Sequence, residues 1–146
     1  MYIGKIAEPT DELYAAMQHL IPQLGRHKIP PTREELAKLL STEGATLLVA
    51  RYPDEGSEIA GLLSLSIYRV PTGTRSIVED IVVDEKYRRL GIGEALVRQA
   101  IELARQAGAN GVSLTSNPQR EAANQLYLSM GFELRKTNPY FYKLKY

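Results

Sequence analysis

The chain has 146 residues, a formal net charge of +1 and no cysteine. That length fits one domain, 1–146, able to bury a core without staples, and the missing thiols exclude a disulfide, a thiolate zinc site and a cysteine nucleophile. The near balance of charge excludes long-range attraction to nucleic acid or to an anionic membrane.

Residues 2–7 read as a first strand, and Pro9-Thr10 as the entry to a helix over 11–20, where Leu13, Ala16, Met17 and Leu20 recur at helical spacing. The first eight residues lack an apolar run of signal-peptide length, and no stretch of about 18 apolar residues follows. With the cysteine-free composition, this gives the expectation of a soluble, cytoplasmic protein. Pro22, Gly25, Pro30 and Pro31 break the chain before Thr32, which with Glu35 makes a capping-box pattern for a short helix to Leu40. Residues 46–51 and 59–68 are rich in Leu, Val and Ile and read as strands joined by a turn at 53–57. Pro71-Thr72-Gly73 turns the chain into 75–83, the strongest strand pattern, so three antiparallel strands are expected.

Residues 91–107 then form the longest predicted helix, with Ile92, Leu96, Ala100, Leu103 and Ala107 on one stripe and Gly108 as its stop. A short strand at 111–115 completes a strand-helix-strand unit, whose two strands are expected to be parallel. A helix over 120–130 stops at Gly131, and 140–144 reads as a last strand. The expected class is α/β, with a mixed, mostly antiparallel central sheet and one βαβ unit.

The chemistry concentrates where the strand ending Glu79-Asp80-Ile81-Val82-Val83 runs through Asp84-Glu85-Lys86-Tyr87 into Arg88-Arg89-Leu90-Gly91-Ile92-Gly93. The first amides of a helix lack intrahelical partners and carry partial positive charge, so they hold anions. Gly91 and Gly93 remove side chains that would keep a phosphate away, and Arg88 and Arg89 add cationic donors. A tight turn is the plain alternative. A dinucleotide fingerprint fails because Leu96 stands where a third small residue is needed, and no Gly-Lys-Ser or Gly-Lys-Thr exists for a P-loop.

Arg88-Arg89-Leu90-Gly91-Ile92-Gly93 resembles the Arg/Gln-x-x-Gly-x-Gly/Ala signature of the GNAT superfamily of N-acetyltransferases. Ala123-Asn124-Gln125-Leu126-Tyr127-Leu128-Ser129-Met130-Gly131-Phe132 resembles that family's Ala-x-x-Leu-Tyr-x-x-x-Gly-Phe ending. The resemblance implies an acyl-CoA-binding βαβ unit that takes acetyl-CoA as co-substrate. Ile81, Val82 and Val83 would offer backbone groups to the pantetheine arm, and amides from Arg89 to Gly93 would hold the pyrophosphate. Many members carry asparagine where this chain has Arg120; Asn117 and Asn124 flank it as contacts to the cofactor arm, Asn124 preferred.

Acetyl transfer to an amine requires removing a proton from an ammonium whose pKa lies near 10.4 for a lysine-like group. It also needs a donor for the carbonyl oxygen and a proton for the departing sulfur. The resemblance assigns the last task to Tyr127, for which ordinary core packing on a helix is the alternative. Glu79 is the candidate base, through a water, with Asp80 in reserve. Strand alternation sets the two on opposite faces unless a bulge intervenes. A backbone amide near Val82 or Val83 is the candidate oxyanion donor. His19 and His27 fall outside both blocks and read as surface residues. No His/Asp/Glu cluster has ligand spacing, so no metal is expected.

The family places an acceptor-gating segment where 20–31 stands, and Arg26, His27 and Lys28 there hint at an anionic group on the substrate. Among nine tyrosines, Tyr68, Tyr140, Tyr142 and Tyr146 fall late on outer strands. Sheet packing explains them plainly; an acceptor wall or subunit interface is the functional alternative. Together these readings lead to an enzyme acetylating a small-molecule amine, expected as a homodimer with no nucleic-acid or membrane partner. The rival is a non-catalytic acyl-CoA-binding sensor or accessory module, which would need neither Glu79 nor Tyr127.

Overall fold

The computed structural model describes residues 1–146, whose packing falls into two compact units, Met1–Thr115 and Ser116–Tyr146. The first unit runs β1 (Tyr2–Lys5), α1 (Asp11–Leu20), α2 (Arg33–Ser41), β2 (Ala45–Arg51), β3 (Ile59–Val70), β4 (Gly73–Val83), α3 (Ile92–Gln106) and β5 (Ser113–Leu114). Short 3-10 turns occupy Ile21–Leu24 and Glu85–Tyr87. The strands form one sheet in the order β1-β2-β3-β4-β5, antiparallel at every junction except β4–β5, which is parallel. This is the mixed, mostly antiparallel α/β architecture expected from the sequence, with β4-α3-β5 as its βαβ unit.

Local chemistry explains the boundaries. Thr10 caps α1, its hydroxyl accepting from the Leu13 amide at 3.1 Å. Thr32 and Glu35 form the full capping box on α2: the Glu35 amide donates to the Thr32 hydroxyl at 3.1 Å, and the Thr32 amide to the Glu35 carboxylate at 3.0 Å. Gly73 pairs with Val70 across a turn of only Pro71-Thr72, which folds β3 and β4 into a tight hairpin.

Both faces of the sheet are covered. Leu13, Met17, Leu20 and Ile21 join Leu36 over Leu47, Val49, Leu62 and Val82 to form one core cluster. The opposite face packs α3 against β2, β3 and β4, with Leu96, Val97 and Ala100 fully buried. Each buried Leu or Val contributes about 1.5–3 kcal/mol by leaving water. At the start of α3, Ile92 is 1% exposed and reaches over Gly61 of β3. A Cβ at Gly61 would lie 2.9 Å from the Val82 carbonyl oxygen and 3.5 Å from Ile92, so glycine there lets the helix start sit close to the sheet.

Arg51, at the end of β2, ties α1 to the β2–β3 loop. Its guanidinium meets Glu12 at 2.6 and 2.9 Å and also donates to the Ser57 carbonyl at 2.9 Å. The hydrogen bond from Arg51 holds the Glu12 carboxyl below the ordinary carboxylate range. A carboxyl depressed by folding stabilises above its unfolded pKa of about 4.3 and loses that contribution as pH falls through the folded value. Because Glu12 is 52% exposed, solvent screening discounts the pair, and Glu12→Gln is expected to cost about 0.5–1 kcal/mol at pH 7. Urea unfolding at pH 7 and at pH 3 checks this, the gap between variant and wild type closing at the lower pH.

Three expectations need correction. The strand predicted over 140–144 is irregular, and Tyr140, Phe141 and Tyr142 are each about 90% exposed. Aromatic strand propensity is realised only against a ladder partner, and no strand pairs with this stretch. The tyrosines expected to pack on outer strands are therefore exposed: Tyr140, Tyr142 and Tyr146 stand free, and Tyr68 is 47% exposed. The last paired strand is also shorter than 111–115, with only Ser113 and Leu114 in register against Ile77 and Val78.

Candidate active site

Register decides which way the acids face. Leu65 lies opposite Val78 and Leu63 opposite Ile81, so the single residue Ser64 of β3 stands against two of β4, Glu79 and Asp80. The extra residue makes a β-bulge at Glu79-Asp80. Cross-strand partners share a face, and Leu63 and Leu65 share one. Val78 and Ile81 therefore lie on that face, and the two residues between them lie on the other. Asp80 pairs with Ser64, on the side of Leu62 and Val82 that α1 and α2 cover further along. The bulge thus turns Glu79 and Asp80 to the same side of the sheet, and both are exposed.

The same point is where the sheet opens. β4 and β5 pair only through Ile77–Ser113 and Val78–Leu114. Before it, the connection is held by Asn110 N donating to Thr74 O at 3.0 Å and Ser76 Oγ to Gly111 O at 2.7 Å. Beyond Val78 the outer edge of β4 has no strand beside it. The Asp84 amide bonds Ala60 O at 2.8 Å, which fixes the alternation of the β3–β4 ladder. Val82 then turns its backbone groups toward Leu62, while Ile81 and Val83 turn theirs to the open edge. Of the backbone groups singled out in the sequence, those of Ile81 and Val83 face the opening and those of Val82 do not. Arg88 Nε takes the Val83 carbonyl at 3.1 Å.

The chain next makes the turn Glu85–Tyr87 and climbs into α3 through two left-handed residues, Arg89 (φ 65°) and Gly91 (φ 82°). Gly91 is the N-cap residue of α3 and supplies no side-chain hydrogen bond, unlike Thr10 and Thr32 on α1 and α2. The amides of Ile92, Gly93 and Glu94 precede the first intrahelical donor, Ala95 N to Gly91 O at 3.1 Å. A Cβ at Gly91 would meet no atom within 4 Å, and one at Gly93 only Val83 at 3.8 Å. Ile92 is buried, whereas Arg88, Arg89 and Leu90 are exposed beside these amides. The result is an uncapped, open helix N-terminus flanked by arginines, a donor set that fits a pyrophosphate.

In the second unit, α4 (Glu121–Ser129) carries Tyr127. Gly131 N donates to Leu128 O at 3.1 Å and Phe132 N to Tyr127 O at 3.0 Å, the paired bonds of a Schellman ending with Gly131 left-handed at φ 99°. The Phe132 ring meets Tyr127 edge-on at 5.7 Å. The Gly-Phe block therefore fixes the tyrosine ring. Tyr127 is buried, and burial pushes its phenol above the ordinary value, with Arg120 opposing in part. Asn124 Nδ2 donates to Asn117 O at 3.1 Å, and Asn117 Oδ1 accepts from Gln119 N at 3.0 Å. Asn117 shapes the entry to α4, and Asn124 is half-buried beside it.

Sequence reasoning passed over two residues. His19 lies on the surface as expected, and its Nε2 also comes within 2.9 Å of Asp84 Oδ2, a carboxylate only 5% exposed. Asp84 closes the turn that leads into the arginine-glycine loop, its Oδ1 accepting from Lys86 N at 3.3 Å. An acidic residue ending a strand just before a helix start was the only local signal for it.

The family model described as acetyltransferase (GNAT) family matches residues 13–132. N-acetyltransferase 8B of Rattus norvegicus is 30% identical over 122 residues, covering 76% of this chain and 54% of its own length. N-acetyltransferase 8 of Homo sapiens is 40% identical over 62 residues, covering 42% of this chain and 26% of its own. The chain thus spans about half the length, or less, of the curated relatives it matches. Among solved structures, an aminoglycoside acetyltransferase from an uncultured soil metagenomic sample, in complex with sisomicin, superposes at a TM-score of 0.83. It is 20% identical, with 99% of this chain and 96% of that one covered. A probable acetyltransferase reaches a TM-score of 0.85 at 22% identity, with 99% of each chain covered. At these identities the structural likeness establishes the fold.

Proposed function

This chain belongs to the acetyltransferase (GNAT) family, and from that premise we propose that it moves an acetyl group from acetyl-CoA to a primary amine by direct attack, the acceptor being a small molecule. One observation carries the reading: the uncapped, glycine-opened start of α3 stands beside Val83, at the end of the stretch of β4 that has no outer partner. Ligands of α/β sheets bind beyond the carboxyl ends of parallel strands that part in this way.

Bound there, acetyl-CoA supplies an acetyl group activated as a thioester. The amides from Arg89 to Gly93, with Arg88 and Arg89, take its pyrophosphate, and the open backbone groups of Ile81 take the pantetheine arm. The Val83 amide is the donor assigned to the carbonyl oxygen. Asn124, with Asn117 shaping the turn before it, is assigned to the cofactor arm. Glu79 or Asp80 draws a proton from the ammonium through water, and Tyr127 returns one to the sulfur. A sensor that only bound acyl-CoA would have no use for two carboxylates turned to one face, and their placement favours the enzyme.

The same face supports a small acceptor. Ser64, opposite Asp80, also lines a cavity of about 100 Å³ with Lys5, Leu39, Leu40, Ala45 and Leu47. A compact aliphatic part of an amine would fit that space while the carboxylates hold its ammonium. The sisomicin-bound neighbour is an aminoglycoside acetyltransferase, consistent with amine acceptors on this fold. By family habit we also propose a homodimer, and from the cysteine-free composition a cytoplasmic location; light scattering that finds a monomer at micromolar concentration overturns the dimer.

A panel of amines, assayed for acetyl-CoA-dependent release of free thiol, tests the activity directly. Protein lysine peptides belong in the same panel, and turnover of these alone would overturn the small-molecule assignment. With an accepted amine in hand, Glu79→Gln and Asp80→Asn are each expected to lower kcat/KM about tenfold at pH 7. Each loss is partial because the other carboxylate remains on the same face. It should shrink as pH approaches the amine's own pKa, where no base is needed.

A further inference from the structure

His19 and Gln23 lie four residues apart, on successive turns where α1 runs into its 3-10 extension. The buried residues between them, Leu20 and Ile21, hold this segment in the core, which leaves the two polar side chains facing the loop after β4. His19 Nε2 meets Asp84 Oδ2 at 2.9 Å, and Gln23 Oε1 accepts from the Glu85 amide at 3.0 Å.

We propose that His19 and Gln23 form a clamp that positions the coenzyme A loop, His19 acting through Asp84. This deepens the reading of that loop as the pyrophosphate cradle and rests on it. Asp84 is the pivot. Its amide bonds Ala60 O, its carbonyl accepts from Tyr87 N at 2.8 Å, and its carboxylate bridges Lys86 N and His19. The turn is gripped from the far side as well, where Glu58 pairs with Lys86 at 2.7 Å and accepts from the Tyr87 hydroxyl. Everything from Arg88 to Gly93 hangs from this turn. Fixing it fixes where the free amides of α3 point, and a cradle set in advance spares the ligand the cost of ordering it.

The His19 side chain is 63% exposed, so truncating it opens no cavity and leaves the core untouched. Calorimetry with coenzyme A as the probe is the test, with thermal unfolding recorded on each variant. His19→Ala should weaken coenzyme A binding about fivefold, the range of a partly exposed pair. His19→Gln, which sets an amide nitrogen at the place of Nε2, should restore affinity to within about twofold of wild type. In a double-mutant cycle, His19→Ala should cost little further in an Asp84→Asn background, because the two act as one unit. Gln23→Ala tests the second prong, with a smaller loss in the same direction.

A bare structural role would lower thermal stability without rescue by glutamine. Unaltered binding by His19→Ala, failure of His19→Gln to restore it, or additivity with Asp84→Asn each overturns the clamp. Should His19→Ala fail to fold, Gln23→Ala with unaltered binding and His19→Gln with lost binding do the same. Wild-type protein that ignores coenzyme A overturns the cradle reading, and the clamp's purpose with it.

Discussion

Gly91→Val is expected to weaken coenzyme A binding about a hundredfold while the protein remains folded. Losing two charge-assisted hydrogen bonds of about 1.5 kcal/mol each removes about 3 kcal/mol of binding. Gly91 adopts φ 82° and a Cβ there would meet no protein atom within 4 Å, so the new side chain would take up open space next to the amides that follow it in α3. The internal cost is the strain of a left-handed non-glycine residue, about 1–2 kcal/mol. Gly108, at the other end of the same helix, supplies the control: φ is 76° and its surroundings are equally open. Gly108→Val should lose similar stability and bind coenzyme A like wild type. Isothermal titration of both variants decides the matter, and equal affinities would remove the cradle from the proposed function.

The parts of this molecule legible in its sequence are those written by local chemistry. Thr10 and the Thr32–Glu35 pair announce helix starts because capping is satisfied within four residues. Gly131-Phe132 announces a helix end for the same reason, and the structure adds what the pattern is for: the Schellman bonds set Phe132 against Tyr127. Gly91 and Gly93 are legible as an opened helix start, since an N-cap without a side-chain acceptor leaves its amides free.

What stayed hidden depends on pairing between distant segments. The bulge at Glu79-Asp80 belongs to the β3–β4 register and cannot be read from β4 alone, where plain alternation sets the two acids on opposite faces. His19 and Asp84 are 65 residues apart, and no periodicity links a helix end to a turn across the sheet. The 140–144 stretch shows the converse: it has strand-forming residues but no neighbouring edge, and propensity without a partner leaves it irregular. The site is therefore half local motif and half long-range register. The second half set the two candidate acids on one face of the sheet.

Tyr127→Phe carries the other large expected effect, a fall in kcat of about a hundredfold, within the range of losing one general acid. Phenylalanine keeps the ring that Phe132 packs against and leaves the Schellman bonds, which involve only backbone, in place. Folding and coenzyme A affinity should accordingly hold. Burial raises the phenol's pKa, so the acid stays protonated through neutral pH and turnover should decline only above about pH 10, the ordinary tyrosine value. A phenol raised by folding contributes its full stability below the unfolded value and loses it as pH climbs through the folded one. Tyr127→Phe should thus match wild-type stability at pH 7 and exceed it in strong alkali, while its residual turnover lacks the alkaline decline. Normal kcat in a variant that still binds coenzyme A would reduce Tyr127 to a core aromatic, and some other group would have to protonate the sulfur. A lost rate together with intact binding and a vanished alkaline limb is a combination that packing alone cannot produce.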